Sequence, residues 1–329
     1  MKKIFSLLLT LLMLLGIFCS CSDGSGSDTA VYRIGICQFL EHTAVDSATE
    51  GFKAALTEKL GDEVSFDVKN ASGEKMNAQS ICSGFAGDNV SLIFANSTNA
   101  LAAAAEATSV IPVVACCVTD FGGTLGTALN DGKTGINVTG CSDLLPLEKQ
   151  AEVINEIFPA KGTVGILYCS SETNSKYQAD EISKHLSDLG FEVKVFTFVD
   201  TTDVTLVTQQ AAAECDVIYT PTDNTVASNT QAINNILEPA RVPLVAGNID
   251  VAVECGIATV GIDYYKLGYE AGLMAYEILK ENRDPADMEI HFAEEYFKKY
   301  VPERAALLGI KIPEGYTVIK GNGRTNYHT

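Results

Sequence analysis

Short apolar runs alternate along this chain with segments whose apolar residues recur at helical spacing. Residues 31–37 form one such run, the kind expected of a strand buried on both faces of a parallel sheet. The segment after it sets Phe52, Ala55, Leu56 and Leu60 on one helical face. Strand, loop and helix keep alternating, which predicts an α/β fold of doubly wound parallel sheets with right-handed crossovers. The pattern also occurs twice. Arg33-Ile34-Gly35-Ile36 is matched by Thr163-Val164-Gly165-Ile166, and the helices that follow end at Leu60-Gly61 and Leu189-Gly190. Strands expected at 64–68 and 192–198 come next, then Ser91-Leu92-Ile93-Phe94 and Asp216-Val217-Ile218-Tyr219. Ile111-Pro112-Val113-Val114 pairs with Val242-Pro243-Leu244-Val245, and the Gly-rich strand at 135–140 with that at 256–261. The offset stays at about 130 residues, which marks a repeated domain and not a solenoid unit. Two like lobes on either side of residues 138–150 frame a cleft.

The chain opens with Met1-Lys2-Lys3 and an apolar run to Phe18, broken by Ser6, Thr10 and Gly16. A basic head and an apolar run too short for a membrane span predict a signal peptide over residues 1–20. Ser20 before Cys21 resembles a bacterial lipoprotein processing site, with Phe18 where such sites usually carry Leu. Cys21 is the expected lipidation site, and the polar residues 21–30 are the expected flexible linker. The rest suffices for two lobes of ordinary domain size. A net charge of −19 argues against a nucleic-acid partner, whose phosphates need a basic face. Beyond Cys19 and Cys21, no cysteine belongs to a CxxC pair or to a Cys/His cluster of zinc-ligand spacing, so no metal and no cofactor is expected. Cys37, Cys116, Cys117 and Cys169 lie within apolar strands, as small core residues do. So many free thiols in an exported chain hint at a reducing setting.

In open α/β sheets ligands sit at the carboxyl ends of the strands. Those loops are expected at 38–43, 95–99, 118–121 and 141–143 in the first half, and at 169–175, 220–225, 247–250 and 263–265 in the second. They are rich in Ser, Thr, Asn and Asp. Helix capping accounts for part of that, but Thr222, Asp223 and Asn224 in a row exceed what one cap needs. None of Arg33, Arg241, Arg283, Arg304 and Arg324 lies in these loops, nor does a Lys, so a phosphate or dicarboxylate lacks its clamp. Hydroxyls and helix N-termini for a carboxylate, with an Asp for an ammonium, suit a zwitterion. Phe39, Phe121, Tyr264 and Tyr265 are candidates to cover an apolar side chain, although core packing explains each equally well. Enzyme signals are thin: no P-loop, no G-x-S-x-G, no dinucleotide fingerprint, and His42 as the one loop histidine. The chain reads as a binder, with no catalytic residues.

Several of these pieces carry a family resemblance. They are Ile34-Gly35-Ile36-x-Gln38 with Glu41-His42, Val118-Thr119-Asp120, Asn137-Val138-Thr139-Gly140-x-Ser142-Asp143 and Pro146-x-Glu148-Lys149-Gln150. Ser171-Glu172-x-Asn174-Ser175, Tyr219-x-Pro221-Thr222-Asp223-Asn224-Thr225 and Gly261-Ile262-Asp263-Tyr264-Tyr265 complete the set. Together they resemble the substrate-binding lipoproteins of ABC transporters of the tryptophan/tyrosine type, periplasmic-binding-protein-like, type I. The chain departs at Thr43 and Phe121, where Pro is usual, both in loops expected near the pocket.

The resemblance implies two lobes joined by a three-segment hinge: residues 31–142 with about 264–288, and 143–263 with about 289–329. It implies the extracytoplasmic binding component of an importer, monomeric, anchored to the membrane and partnered by a permease and its ATPase. Its ligand would be an L-amino acid, aromatic by resemblance. On this scheme Ser97, Thr98 and Thr119 surround the carboxylate, and Asn174 and Ser175 add to that shell from the second lobe. Asp223 or Asp250 takes the ammonium, with Thr222 and Asn224 beside them, and Gln38, Phe39 and Tyr264 line the side-chain pocket. A sensor lipoprotein feeding a membrane receptor, or an importer component for another small neutral solute, would show the same pattern.

Overall fold

The computed structural model describes residues 31–293 and 295–319; the expected signal peptide, Cys21 and the linker lie outside the described residues. The first lobe is laid down as β1 (Tyr32–Gln38), α1 (Thr43–Leu60), β2 (Val64–Asn70), α2 (Lys75–Gly87), β3 (Leu92–Asn96), α3 (Thr98–Ala107), β4 (Val113–Val118), α4 (Phe121–Leu125) and β5 (Val138–Ser142). Every residue of β3, β4 and β5 is buried, whereas β2 is only partly covered. Central strands sandwiched by helices need apolar side chains on both faces, and an edge strand does not.

The second lobe repeats the scheme: α5 (Leu147–Ile157), β6 (Thr163–Cys169), α6 (Thr173–Asp188), β7 (Glu192–Phe198), α7 (Val204–Glu214), β8 (Val217–Thr220), α8 (Asn224–Ser228), α9 (Thr230–Ala240), β9 (Leu244–Ala246), α10 (Ile249–Cys255) and β10 (Ala258–Gly261). The remainder is α11 (Tyr264–Glu281), β11 (His291–Phe292), β12 (Phe297–Tyr300), α12 (Pro302–Leu308) and β13 (Thr317–Val318). One sheet runs β11-β5-β4-β3-β1-β2 and the other β13-β12-β10-β9-β8-β6-β7. Strands β1–β5 and β6–β10 therefore share one doubly wound order, as the sequence repeat predicts.

The chain passes between the sheets three times, after Ser142, after Gly261 and after Phe292. Helix α11 returns to the first lobe and lies against α1. A Cβ added at Gly268 would collide with the Ala48 carbonyl, and one at Gly51 with that of Tyr265, so small residues set the close approach. The sequence places the third crossing near residue 289; the structure moves it later. Ile290 N donates to Gly132 O at 2.8 Å, and His291 and Phe292 then pair with Cys141 and Ser142, adding an edge strand to the first sheet before the chain leaves.

Candidate functional site

In the first lobe the adjacent strands β3, β4 and β5 end side by side in Ser97, Thr119 and Asp143. Ser97 precedes α3 with a φ of 107°, a region costly for a side-chain-bearing residue, and its hydroxyl makes no capping bond. Ser97 Oγ, Asn99 Nδ2 and Asn96 Oδ1 are buried without a protein partner, at the N-terminus of a helix whose first N–H groups are open. A register shift between Ala115 and Val118, with Cys117 at φ 57°, turns the end of β4. Thr119 then donates to Asp143 Oδ1 at 3.2 Å. Asp143 is 3% exposed and takes a second hydroxyl, Tyr264 OH, at 3.5 Å. Burial pushes its carboxyl up to about 6, and only hydroxyl and backbone hydrogen bonds offset this.

The second lobe's loops are locked together. Glu172, buried ahead of α6, accepts from Asn224 N and Nδ2 (3.1 and 2.6 Å) and from Thr225 N and Oγ1 (2.9 and 2.7 Å). Asp223 accepts from Cys169 N and Val226 N, each at 2.7 Å; burial, with Glu172 nearby, holds its carboxyl well above the usual carboxylate range. Gln178 accepts from Thr222 N at 3.1 Å and donates to the Asn174 and Thr222 carbonyls, both at 3.2 Å. Within this lattice Asn174 Oδ1 and Thr220 Oγ1 are buried and unpartnered.

Among the described residues, side chains of the two facing walls meet across the cleft. Gln178 Nε2 donates to Thr119 Oγ1 at 3.4 Å, and His42 Nε2 meets Asn224 Oδ1 at 3.1 Å. Farther out, Phe39, Leu40, Lys75, Glu172, Asp200 and Thr225 line a groove of about 400 Å³ between the lobe tips. Lys75 qualifies the expectation of a cleft without lysine: it follows β2, whose end is not among the loops expected from the sequence.

The expected site residues fall into three groups. Ser97, Thr98, Thr119 and Asn174 gather at the strand ends bordering the cleft, all buried. Ser175 is fully buried and hydrogen-bonds Asp223, while Thr222, Asp223 and Asn224 belong to the second lobe's lattice, where both Asp223 oxygens serve backbone donors. Gln38 turns inward, donating to Asp46 Oδ1 at 2.6 Å and accepting from Thr49 at 2.9 Å. Phe39 joins the first lobe's core while touching the outer groove. Tyr264 reaches Asp143, and half-buried Asp250 is close enough to raise the Tyr264 hydroxyl, after burial and Asp143. Asp143, Glu172 and Gln178 carry no expected role in the sequence, although the first two stand within the motifs of the resemblance. Gln178 had a usable signal, since it stands four residues after Asn174 on one helix face. Among the described residues no His/Cys/Asp/Glu group is placed to hold a metal, and no helix is long and apolar enough to cross a membrane.

Two hinged lobes around a polar cleft define a solute-binding protein. The chain belongs to the ABC transporter substrate binding protein family, whose profile matches residues 33–320. It is 32% identical over 292 residues to a tyrosine-binding protein of Clostridioides difficile, covering 85% of this chain and 84% of that one. An ABC domain from Streptococcus pneumoniae solved with L-Trp matches at a TM-score of 0.83 and 29% identity, over 88% of this chain and 99% of that one. A ligand-free, open substrate binding protein from Clostridium difficile matches at 0.67 and 32% identity, over 88% of this chain and all of that one.

Proposed function

We propose that this chain captures an L-amino acid, preferably aromatic, between its lobes and delivers it to an ABC permease driven by its ATPase. The observation that carries the reading is the set of buried, unpartnered polar atoms on Ser97, Asn99, Asn174 and Thr220, lying at the strand ends around two helix N-termini. Such groups are costly unless something meets them, and N–H and hydroxyl donors at helix ends suit a carboxylate. The lobes comprise residues 31–142 with 264–292, and 143–263 with 297–319. Ser97, Thr98 and Thr119 receive the carboxylate, with Asn174 closing from the second lobe. An acidic group of the cleft takes the ammonium, and Phe39 and Tyr264 border the ligand's side chain. The relatives named for tyrosine and solved with L-Trp support the aromatic preference.

A thermal-shift screen of the twenty amino acids and common sugars tests this, since a ligand at a hundredfold excess over its Kd stabilises by about 2.7 kcal/mol. Tyrosine or tryptophan should give the largest shift. A response confined to sugars would sink the amino-acid reading, and one confined to branched-chain amino acids the aromatic part.

The protein is exported and held at the membrane as a monomer by two acyl chains on Cys21, with residues 22–30 as the tether. Cys21→Ala should release it from the membrane fraction. Retention of that variant, together with release of Cys19→Ala, would move the anchor to Cys19.

A further inference from the structure

The amino-acid reading leaves open which acid meets the ammonium, and the strand-end carboxylates differ sharply in what already occupies them. Asp223 serves Cys169 N and Val226 N, and Glu172 serves Asn224 and Thr225. Asp120 caps α4 through Gly123 N, and Asp263 caps α11 through Lys266 N. Asp143 differs: apart from a hydrogen bond with its own backbone, its side chain accepts from two hydroxyls, Thr119 and Tyr264, at the long distances of 3.2 and 3.5 Å. Hydroxyls rotate and can release an oxygen to a stronger donor, whereas backbone N–H groups cannot. No cation figures among the influences on this carboxyl, and its elevation to about 6 is what burial without a counter-charge produces.

We infer that Asp143 is the ammonium receptor of the cleft and therefore selects α-amino acids over carboxylic acids of the same shape; this rests on the proposed amino-acid ligand. The spacing fits. Ser97 and Asp143 follow β3 and β5, which flank β4, so two steps of about 4.8 Å, roughly 10 Å in all, separate them. An α-amino acid spans about 3 Å from carboxylate oxygen to ammonium nitrogen. A hydrogen bond of about 2.9 Å at each end brings the total to roughly 9 Å. A carboxylate seated at Ser97 and the N-terminus of α3 thus puts the ammonium within reach of Asp143. Thr119 on the middle strand touches Asp143 and also accepts from Gln178 of the other lobe, so the ammonium site adjoins a contact made on closure. Asp250, near Tyr264, adds negative potential of the same sign.

The test compares L-tryptophan with indolepropionic acid, and L-tyrosine with its des-amino acid, on wild type and Asp143→Asn by titration calorimetry. The wild type should prefer each amino acid by about a hundredfold or more, as a buried charge pair requires. In Asp143→Asn that ratio should collapse, with affinity for the des-amino acids unchanged or improved. A preserved ratio in a folded variant overturns the inference and leaves the amino-acid reading standing; a wild type that binds neither amino acid overturns both. Should Asp143→Asn fail to fold, proton release decides on the wild type. Binding near pH 6 in buffers of different ionisation enthalpy should release roughly half a proton as the ammonium displaces the one on Asp143. Tyr264 and Cys117, the other titratable groups against it, are held well above neutral by burial. Zero release overturns the inference.

Discussion

The two walls of the cleft are built from the same topology and the same residue types, yet their polar groups are used in opposite ways. On the first lobe, Asn96 Oδ1, Ser97 Oγ and Asn99 Nδ2 stand buried and unpartnered, and Asp143, where the chain leaves β5, is held by two hydroxyls at long distance and one backbone hydrogen bond. On the second lobe Glu172, Asp223, Asn224 and Gln178 all find partners within that lobe's own loops, leaving Asn174 Oδ1 and Thr220 Oγ1. A wall with unmet polar groups loses stability by having them and regains it from a ligand. A wall of matched groups is rigid before anything binds. On the proposed reading, the difference gives capture to the first lobe and a preformed cover to the second.

The largest effect should come from breaking the matched wall. Glu172→Ala removes the acceptor of five donors and leaves Asn224 and Thr225 unsatisfied in a buried loop. Stability in urea should drop by about 3–5 kcal/mol. Loss of less than about 1 kcal/mol would show that the lattice is replaced by water at little cost, and the contrast between walls would fail.

Nearly as large is the pH response of the unmatched wall. The folded-state carboxyl of Asp143 lies near 6, above its ordinary 3.8, so the folded protein binds this proton more tightly than the unfolded chain does. Its contribution is fully present below about pH 4 and is lost as pH rises through about 6, by about 3 kcal/mol. Asp223, raised well above its ordinary value by burial, acts with the same sign. Ligand-free protein should therefore lose stability in urea from pH 4 to 7, and Asp143→Asn should flatten the slope. A slope of opposite sign would mean that a cation already sits at Asp143.

Ser97→Ala separates the walls more finely. Its hydroxyl has no protein partner, so removal should leave ligand-free stability within about 0.5 kcal/mol or raise it. Affinity for the amino acid should fall about tenfold, one hydrogen bond to a charged group. Reduced stability at unchanged affinity would turn Ser97 into a structural residue.

Much of the scaffold was legible because it rests on periodicity. Both copies of the strand-helix alternation, and the strand ends that hold Ser97, Thr119 and Asn174, follow from apolar runs and the residues after them. The use of each polar side chain was not legible. Gln38 and Ser97 are both polar residues at strand ends, but Gln38 turns back onto Thr49 and Asp46 while Ser97 Oγ is unpartnered. That choice depends on which helix passes overhead, information that local sequence does not carry. Asp143 stands out in the sequence only as part of a motif, since its special feature is the lack of a stronger partner. The short β11 escaped because a two-residue edge strand has no period to detect.

The smallest effect expected belongs to the contact that joins the walls at their outer end. Asn224 Nδ2 donates to the Glu172 carboxylate, so its amide oxygen is the atom facing His42. An amide oxygen only accepts, and the imidazole therefore carries its proton on Nε2. The bond is made only when the lobes are together, and water replaces it on both groups when they part. A neutral hydrogen bond of this kind contributes about 1 kcal/mol net to the closed state. His42→Ala should leave unfolding in urea nearly unchanged and weaken ligand binding about fivefold, almost wholly through faster dissociation. The chain contains no tryptophan, so bound L-tryptophan reports through its own fluorescence, and stopped-flow dilution reads the off-rate directly. Asn224→Ala should have the larger effect, because it also strips a donor from Glu172 and so disturbs the matched wall. If His42→Ala instead slows association and leaves dissociation untouched, the contact forms before the ligand is enclosed, and the second wall takes part in capture.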